Sequence, residues 1–281
     1  MPDDIRELLS TLDDAQAEQR LGELIAGSSE QTVVALRAAL PGLDDQALLR
    51  LAILLAESET HGAQRLLVEI WARQLAAYRK QGAPVPPWQL SSWKWDRSEL
   101  QLFGAVSERI TSDWSADDAA RVLGEAIGDR DPEVRAAAAD MAGHWHGRSK
   151  QPYPPALERA LAVAAGDPDP GVREAAVWSL SLAPSRASAA ALEQAARDEA
   201  GPVRAGAISA LGRLGDAANR LRVLAALKDQ HPWVRIAALH SLEVNAPDVA
   251  YAEAARLQED PDAWARQHAG AAHRRLAERG H

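Results

Sequence analysis

Trp88, Trp93 and Trp95 fall within eight positions of one another, beside Pro86, Pro87, Lys94 and Arg97. Aromatic rings flanked by cations can stack on a nucleic-acid base, hold an apolar ligand or anchor a protein partner, because each ring offers a large apolar face. The same rings could instead plug the groove between two helical units. His144 and His146 flank Trp145, but a zinc site needs three or four ligands and no third one is spaced to complete the set, so both read as polar loop histidines. The chain has no cysteine, which removes thiol catalysis, thiolate ligation and disulfides. It also lacks a His-Glu-x-x-His pair, a phosphate-cradling glycine loop and a dinucleotide fingerprint. No catalytic residue, metal or cofactor is therefore expected.

Whatever chemistry these side chains perform, a helical frame must position them. Only one Phe and three Tyr accompany nine Trp among 281 residues, and alanine is abundant, a composition suited to close helix packing rather than to sheet. The strongest pattern is a repeated phrase. Asp129 to Arg135 (DRDPEVR), Asp167 to Arg173 (DPDPGVR), Asp198 to Arg204 (DEAGPVR), Asp229 to Arg235 (DQHPWVR) and Asp260 to Arg266 (DPDAWAR) all share a separation of six. The last four arginines recur every 31 residues, while the first interval is 38. The excess falls around GHWHGRSKQPYPP, where glycine and prolines favour a longer external turn. Each phrase opens a helical run of small and apolar residues, and most follow another such run, giving two helices per period.

The phrase has a physical reading at each position. Asp131 and Asp169 can cap a helix whose first turn holds Pro132 or Pro170. The outer Asp can pair with the recurring arginine within a repeat or across repeats. Val134, Val172, Val203 and Val234 should be buried, with Ala138, Ala176, Ala207, Ala238 and Ala269 letting helices approach closely and Leu180, Leu211 and Leu242 filling the layer. The fifth position after each arginine varies instead: Asp140, Trp178, Ser209, His240 and Ala271. Such variation is what a second-helix surface on the inner curve would show, and equally what any solvent-facing helix position shows. Asp140, Trp178 and His240, aided by Arg213, Arg274 and Arg275, are the candidates for a concave recognition face.

Residues 1–81 read as divergent helical repeats in DIRELLSTL, DAQAEQRLGELIAG, EQTVVALRAAL, DDQALLRLAILLAES and HGAQRLLVEIWARQLAAYRKQG. The Pro- and Trp-rich stretch 82–98 is expected to be an irregular insertion or boundary. Residues 99–281 then form the solenoid, regular from about 117. The fold class expected is all-α, an α-solenoid of stacked antiparallel helix pairs.

The D-x5-R phrases and the alanine-rich helices after them resemble HEAT-like repeats, particularly the short form of phycobilisome lyase-type proteins, over about 117–281. The resemblance implies that Asp129, Arg135, Asp167, Arg173, Asp198, Arg204, Asp229, Arg235, Asp260 and Arg266 form a structural ladder. It also implies bilin attachment or chromophore handling as one activity, although no diagnostic lyase residue is present. HPWVRIAALH is similar to repeat phrases of DNA alkylation-repair glycosylases, in which Asp140 and Trp178 would supply a carboxylate and an aromatic ring. The iron-dependent HEAT-repeat hydroxylases use His-Glu pairs, and this sequence contains none.

Charge weighs against the nucleic-acid reading. Formal net charge is -9, and residues 1–60 alone carry 12 acidic and 4 basic side chains, so a polyanion would meet a repulsive field. The N-terminus lacks the basic and apolar pattern of a secretion signal, and no stretch suits a membrane span, so a cytoplasmic location without membrane insertion is expected. The function these readings favour is a non-enzymatic scaffold or adaptor that binds a protein or peptide partner on the concave face.

Overall fold

The computed structural model describes residues 2–12, 14–27, 29–58, 60–80 and 114–280. The stretch 82–98, with Trp88, Trp93 and Trp95, lies outside the described residues. Among those described, helices account for nearly all regular structure and no strand occurs. The helices are α1 (Pro2–Ser10), α2 (Ala15–Ala26), α3 (Glu30–Ala39), α4 (Asp45–Ala56), α5 (His61–Lys80), α6 (Ala116–Ile127), α7 (Pro132–Ser149), α8 (Pro155–Ala164), α9 (Pro170–Leu182), α10 (Ala189–Ala195), α11 (Gly201–Leu214), α12 (Ala217–Ala226), α13 (Pro232–Asn245), α14 (Pro247–Leu257) and α15 (Ala263–Glu278). The chain divides into two compact units, with the division between Leu157 and Glu158.

Helix starts follow from short-range hydrogen bonding. The side chains of Asp14, Ser29 and Asp44 accept backbone N–H groups at the starts of α2, α3 and α4, and Ser115 and Asp118 form a reciprocal capping box at α6. Asp131 and Asp169 cap α7 and α9, each with proline in the first turn, where its missing donor costs nothing. His231 takes this capping role at α13, its Nδ1 accepting the Trp233 N–H at 3.3 Å.

In the first unit α1, α3, α5 and α7 pack in succession, and α2, α4 and α6 lie against them. The interior includes Leu21, Leu36, Leu51, Leu66, Leu123 and Trp145, each almost completely shielded from solvent. In the second unit α9, α11, α13 and α15 form one layer of successive neighbours, backed by α10, α12 and α14. Val172, Val203 and Val234, the alanines three after each arginine, and Leu180, Leu211 and Leu242 are all buried. Each layer buries the apolar face of the next, so the core exists only through stacking.

One expected loop is helix instead. GHWHGRS belongs to the C-terminal part of α7, which reaches Ser149 and therefore carries both His144 and His146. Trp145 anchors this extension: it is fully buried and its indole N–H donates to the Trp114 carbonyl at 3.1 Å. The helix stops at Lys150, whose left-handed backbone (φ 57°) turns the chain toward Pro152 and Pro154.

Candidate functional site

The recurring arginines of the second unit are two-sided. Arg204 Nη1 donates to the Asp198 and Glu199 carbonyls at 2.8 and 2.9 Å, tying the side chain to its own turn. The opposite edge, Nε and Nη2, grips both carboxylate oxygens of Asp229 in the next turn at 2.9 and 2.7 Å. Arg173 makes the same set with Asp167 and Pro168 carbonyls behind and Asp198 ahead, and Arg235 with Asp229 and Gln230 carbonyls behind and Asp260 ahead. The side-chain partner is thus the Asp 25 residues later, while the Asp six residues earlier contributes its backbone oxygen. Each of these carboxylates also accepts the N–H two residues on, so the turn itself holds the rung in place.

Burial pushes the Asp229 and Asp260 carboxyls up, but the arginine hydrogen bond, the backbone N–H and the arginine charge outweigh it and hold both below the usual carboxylate range. In the first unit Arg135 Nη1 donates to the Asp129 and Arg130 carbonyls, and the Asp129 carboxylate accepts from Arg65 of α5. Arg65 was not among the residues expected in the ladder. Its signal was available: Glu59 stands six positions before it in the sequence.

Two of the expected recognition residues are interior. Asp140 is only 6% exposed, and its Oδ2 accepts the indole N–H of Trp71 at 3.0 Å, with the His144 ring edge-on to Trp71 at 5.4 Å. Its carboxylate is spent on helix packing because the fifth position after the arginine lies on the seam between successive second helices, and here a large ring closes the seam. Trp178 is 5% exposed. At Gly206, α11 comes so close to α9 that an added Cβ would stand 3.0 Å from Val177 Cγ1 and 3.9 Å from Trp178 N. The carboxylate and ring that the glycosylase resemblance would require are therefore both buried.

Two of the three arginines are also engaged. Arg213 Nη1 donates to the Ser181 carbonyl at 2.6 Å and so closes the C-terminal end of α9. Arg275 lies across the Glu243 carboxylate, with contacts of 2.9 to 3.2 Å that tie α15 to α13. Arg274 is exposed and makes no ion pair among the described residues.

His240 does reach solvent, with 44% of its side chain exposed. It is the end of a row of rings along α13 and α15. The His231 ring meets Trp233 at 5.2 Å, Trp233 meets Trp264 at 6.4 Å, Trp264 meets His268 at 4.1 Å and His268 meets His240 at 5.9 Å. Trp233 and Trp264 are partly buried against the core of the second unit, which fixes their ring planes. The 31-residue repeat makes the two tryptophans neighbours, and His268 was missed because it stands two positions after its arginine, where the preceding repeat has Ala237.

Burial pushes all three imidazoles below their usual range, aided at His231 by the charges of Arg204 and Arg235 and at His268 by Arg275. At His240 desolvation of the ring's packed side leads, and Glu243 opposes it while His268 and Arg275 reinforce it. The row is therefore neutral near pH 7: an apolar ribbon with hydrogen-bonding nitrogens, bordered by a carboxylate that is already paired.

Comparison with known proteins agrees with this architecture. The family of HEAT repeats matches at residues 120–211 and 189–274, more than half of the chain. The match is to the repeats and does not extend to the phycobilisome lyase-type branch. No curated protein sequence matches the chain. Among solved structures, YibA of Escherichia coli is similar with a TM-score of 0.45 and 19% identity, over 83% of this chain and 81% of that one. Human deoxyhypusine hydroxylase, solved with glycerol, gives 0.37 and 18% over 99% and 97%, and an engineered protein gives 0.38 and 16% over 98% and 89%.

Proposed function

The chain belongs to the HEAT-repeat family, and we propose that it works as an interaction scaffold that binds a protein or peptide partner on the exposed face of its second-helix layer. The supporting observation is the row Trp233, Trp264, His268 and His240, which spans two successive repeats on rigid helices. Half-exposed aromatic rings already held in place lose little entropy on binding and supply most of the energy at interfaces of this kind. The repeat fold supports the same reading, since stacked helix pairs create extended surfaces on which such anchors can be distributed. Among the described residues no helix is long and apolar enough to cross a membrane.

Site-specific photocrosslinking tests this reading. A photoreactive phenylalanine analogue replaces His240, or, as the control, the 70% exposed Leu221 on α12 in the backing layer. A discrete crosslinked protein is expected from position 240 and should disappear when Trp264→Ala is added to the probe-bearing chain. Equal crosslinking from both positions, or a pattern indifferent to Trp264→Ala, would refute the assignment of this face.

A further inference from the structure

The first unit holds a cleft of about 600 Å³ between the end of α3, the helix α5 and the first turn of α7. Arg65, Glu69 and Arg73 recur every fourth residue on α5 and so line it as one stripe. Arg37 of α3 grips the Glu69 carboxylate through Nε and Nη2 at 2.8 and 2.9 Å, and Arg65 Nη2 holds Asp129. Both carboxylates are thus spent within the fold. Arg73 has no such partner: it makes no ion pair among the described residues, and its Nη1 is shielded from water without an acceptor. Arg65 Nη1 is in the same state, whereas Nη1 of Arg135, Arg173, Arg204 and Arg235 donates to two carbonyls each. A shielded guanidinium nitrogen without an acceptor is rare and costly in a folded protein. Two of them on residues that line one cleft mark a place for an acceptor from outside.

Charge on the walls selects what enters. Three arginines face four carboxylates, those of Glu69, Asp129, Asp131 and Glu133. With two pairs closed, Arg73 remains on α5, and Asp131 and Glu133 remain at the start of α7. Asp131 Oδ1 accepts the Glu133 N–H at 2.9 Å, while the Glu133 side chain is exposed and makes no ion pair among the described residues. A phosphate dianion would meet this surplus of negative charge and be repelled. A ligand that carries one carboxylate and one ammonium group matches both signs. Leu40, Pro41, Ala72 and Val134 add apolar surface to the same cleft, which suits a hydrocarbon side chain.

We propose that this cleft binds a free α-amino acid with an aliphatic side chain. Arg73 and Arg65 take its carboxylate, and Glu133 and Asp131 take its ammonium group. The Arg73 guanidinium turns toward the incoming carboxylate without breaking an ion pair, so the new charge-assisted hydrogen bonds are a net gain. The site lies in the first unit and uses none of the rings of α13 and α15, so it goes beyond the scaffold reading and can fail separately from it.

Calorimetric titration of the full-length protein with L-leucine tests the proposal. Isocaproate, which lacks only the amine, isopentylamine, which lacks only the carboxylate, and inorganic phosphate are the comparison probes. Saturable leucine binding is expected, with each truncated analogue weaker by about tenfold or more, the scale of one lost charge-assisted contact. Arg73→Gln should weaken leucine by a similar factor. Glu133→Gln should narrow the preference for leucine over isocaproate and leave isocaproate itself unchanged. Circular dichroism melts establish that both variants keep the fold, and the analogue series on the unaltered protein stands whatever the variants do to folding. No binding of leucine, isoleucine, valine or alanine at millimolar concentration would overturn the proposal. So would isocaproate or phosphate binding as tightly as leucine, or full leucine affinity in a folded Arg73→Gln protein.

Discussion

Replacing Arg204 by alanine isolates what one rung contributes. The side chain is 9% exposed, and its removal takes away two donors from the Asp229 carboxylate and one that serves the carbonyls of Asp198 and Glu199. Asp229 would keep only the His231 N–H. Removing one partner of a buried ion pair costs roughly 3–5 kcal/mol, because the other charge stays buried and unpaired. The Asp229 side chain is 18% exposed and water can partly replace the arginine, so about 3 kcal/mol, the lower end, applies. Arg266→Ala provides the matched control, since it loses the carbonyl tether but no carboxylate among the described residues; about 1 kcal/mol is expected, the net value of an ordinary hydrogen bond. A stacked array can open in parts, so hydrogen exchange in the α11–α13 peptides should be read alongside denaturant unfolding followed by circular dichroism. If Arg204→Ala opens this region no more easily than Arg266→Ala, the carboxylate pairing does not hold the rung. In the complementary double variant Arg204→Met with Asp229→Leu, most of the loss should be recovered, because an apolar pair of similar volume has no desolvation penalty.

Three further outcomes follow from the second unit. Folding holds His231, His240 and His268 below the usual imidazole value of about 6.5, chiefly through burial. Their contribution is fully present above that value and is lost as pH falls through the lower folded values, so the melting temperature should drop between pH 7 and 5 in a thermal melt, and a flat or rising profile would contradict the burial of these rings. Asp229 and Asp260, depressed in the fold, add stability that is present above about pH 4 and lost only below it, so their loss should appear as a separate, more acidic step. Gly201→Ala would place a Cβ 2.3 Å from the His231 ring and displace the α13 cap, at a cost of about 1–3 kcal/mol. Adding His231→Ser, which keeps a capping oxygen and removes the ring, should restore most of that loss in chemical denaturation, and strictly additive losses would show that the two sites are not in contact.

The repeat spacing made the fold readable, but it left open which Asp each arginine holds. Within one phrase the six-residue separation suits an Asp–Arg pair as well as a pair across repeats does. The structure separates the two because Nη1 takes the near residue's carbonyl and Nε and Nη2 take the far residue's carboxylate, a division between backbone and side-chain acceptors that residue types do not encode. The fifth position after the arginine fails as a guide to surface for a related reason. Its exposure depends on the helix across the seam, which for Asp140 brings in Trp71 from 69 residues away and which at Trp178 packs close enough for a Cβ at Gly206 to touch Val177. His240 stays open because its neighbour across the seam is the half-exposed His268, and Ala271, in the matching position of α15, is small. Variation among repeats therefore marks seams, not surfaces. A position becomes a recognition candidate only when it is read together with the residue one repeat away that can cover it, and by that criterion Trp233 with Trp264 and His240 with His268 are the pairs that remain partly open to solvent.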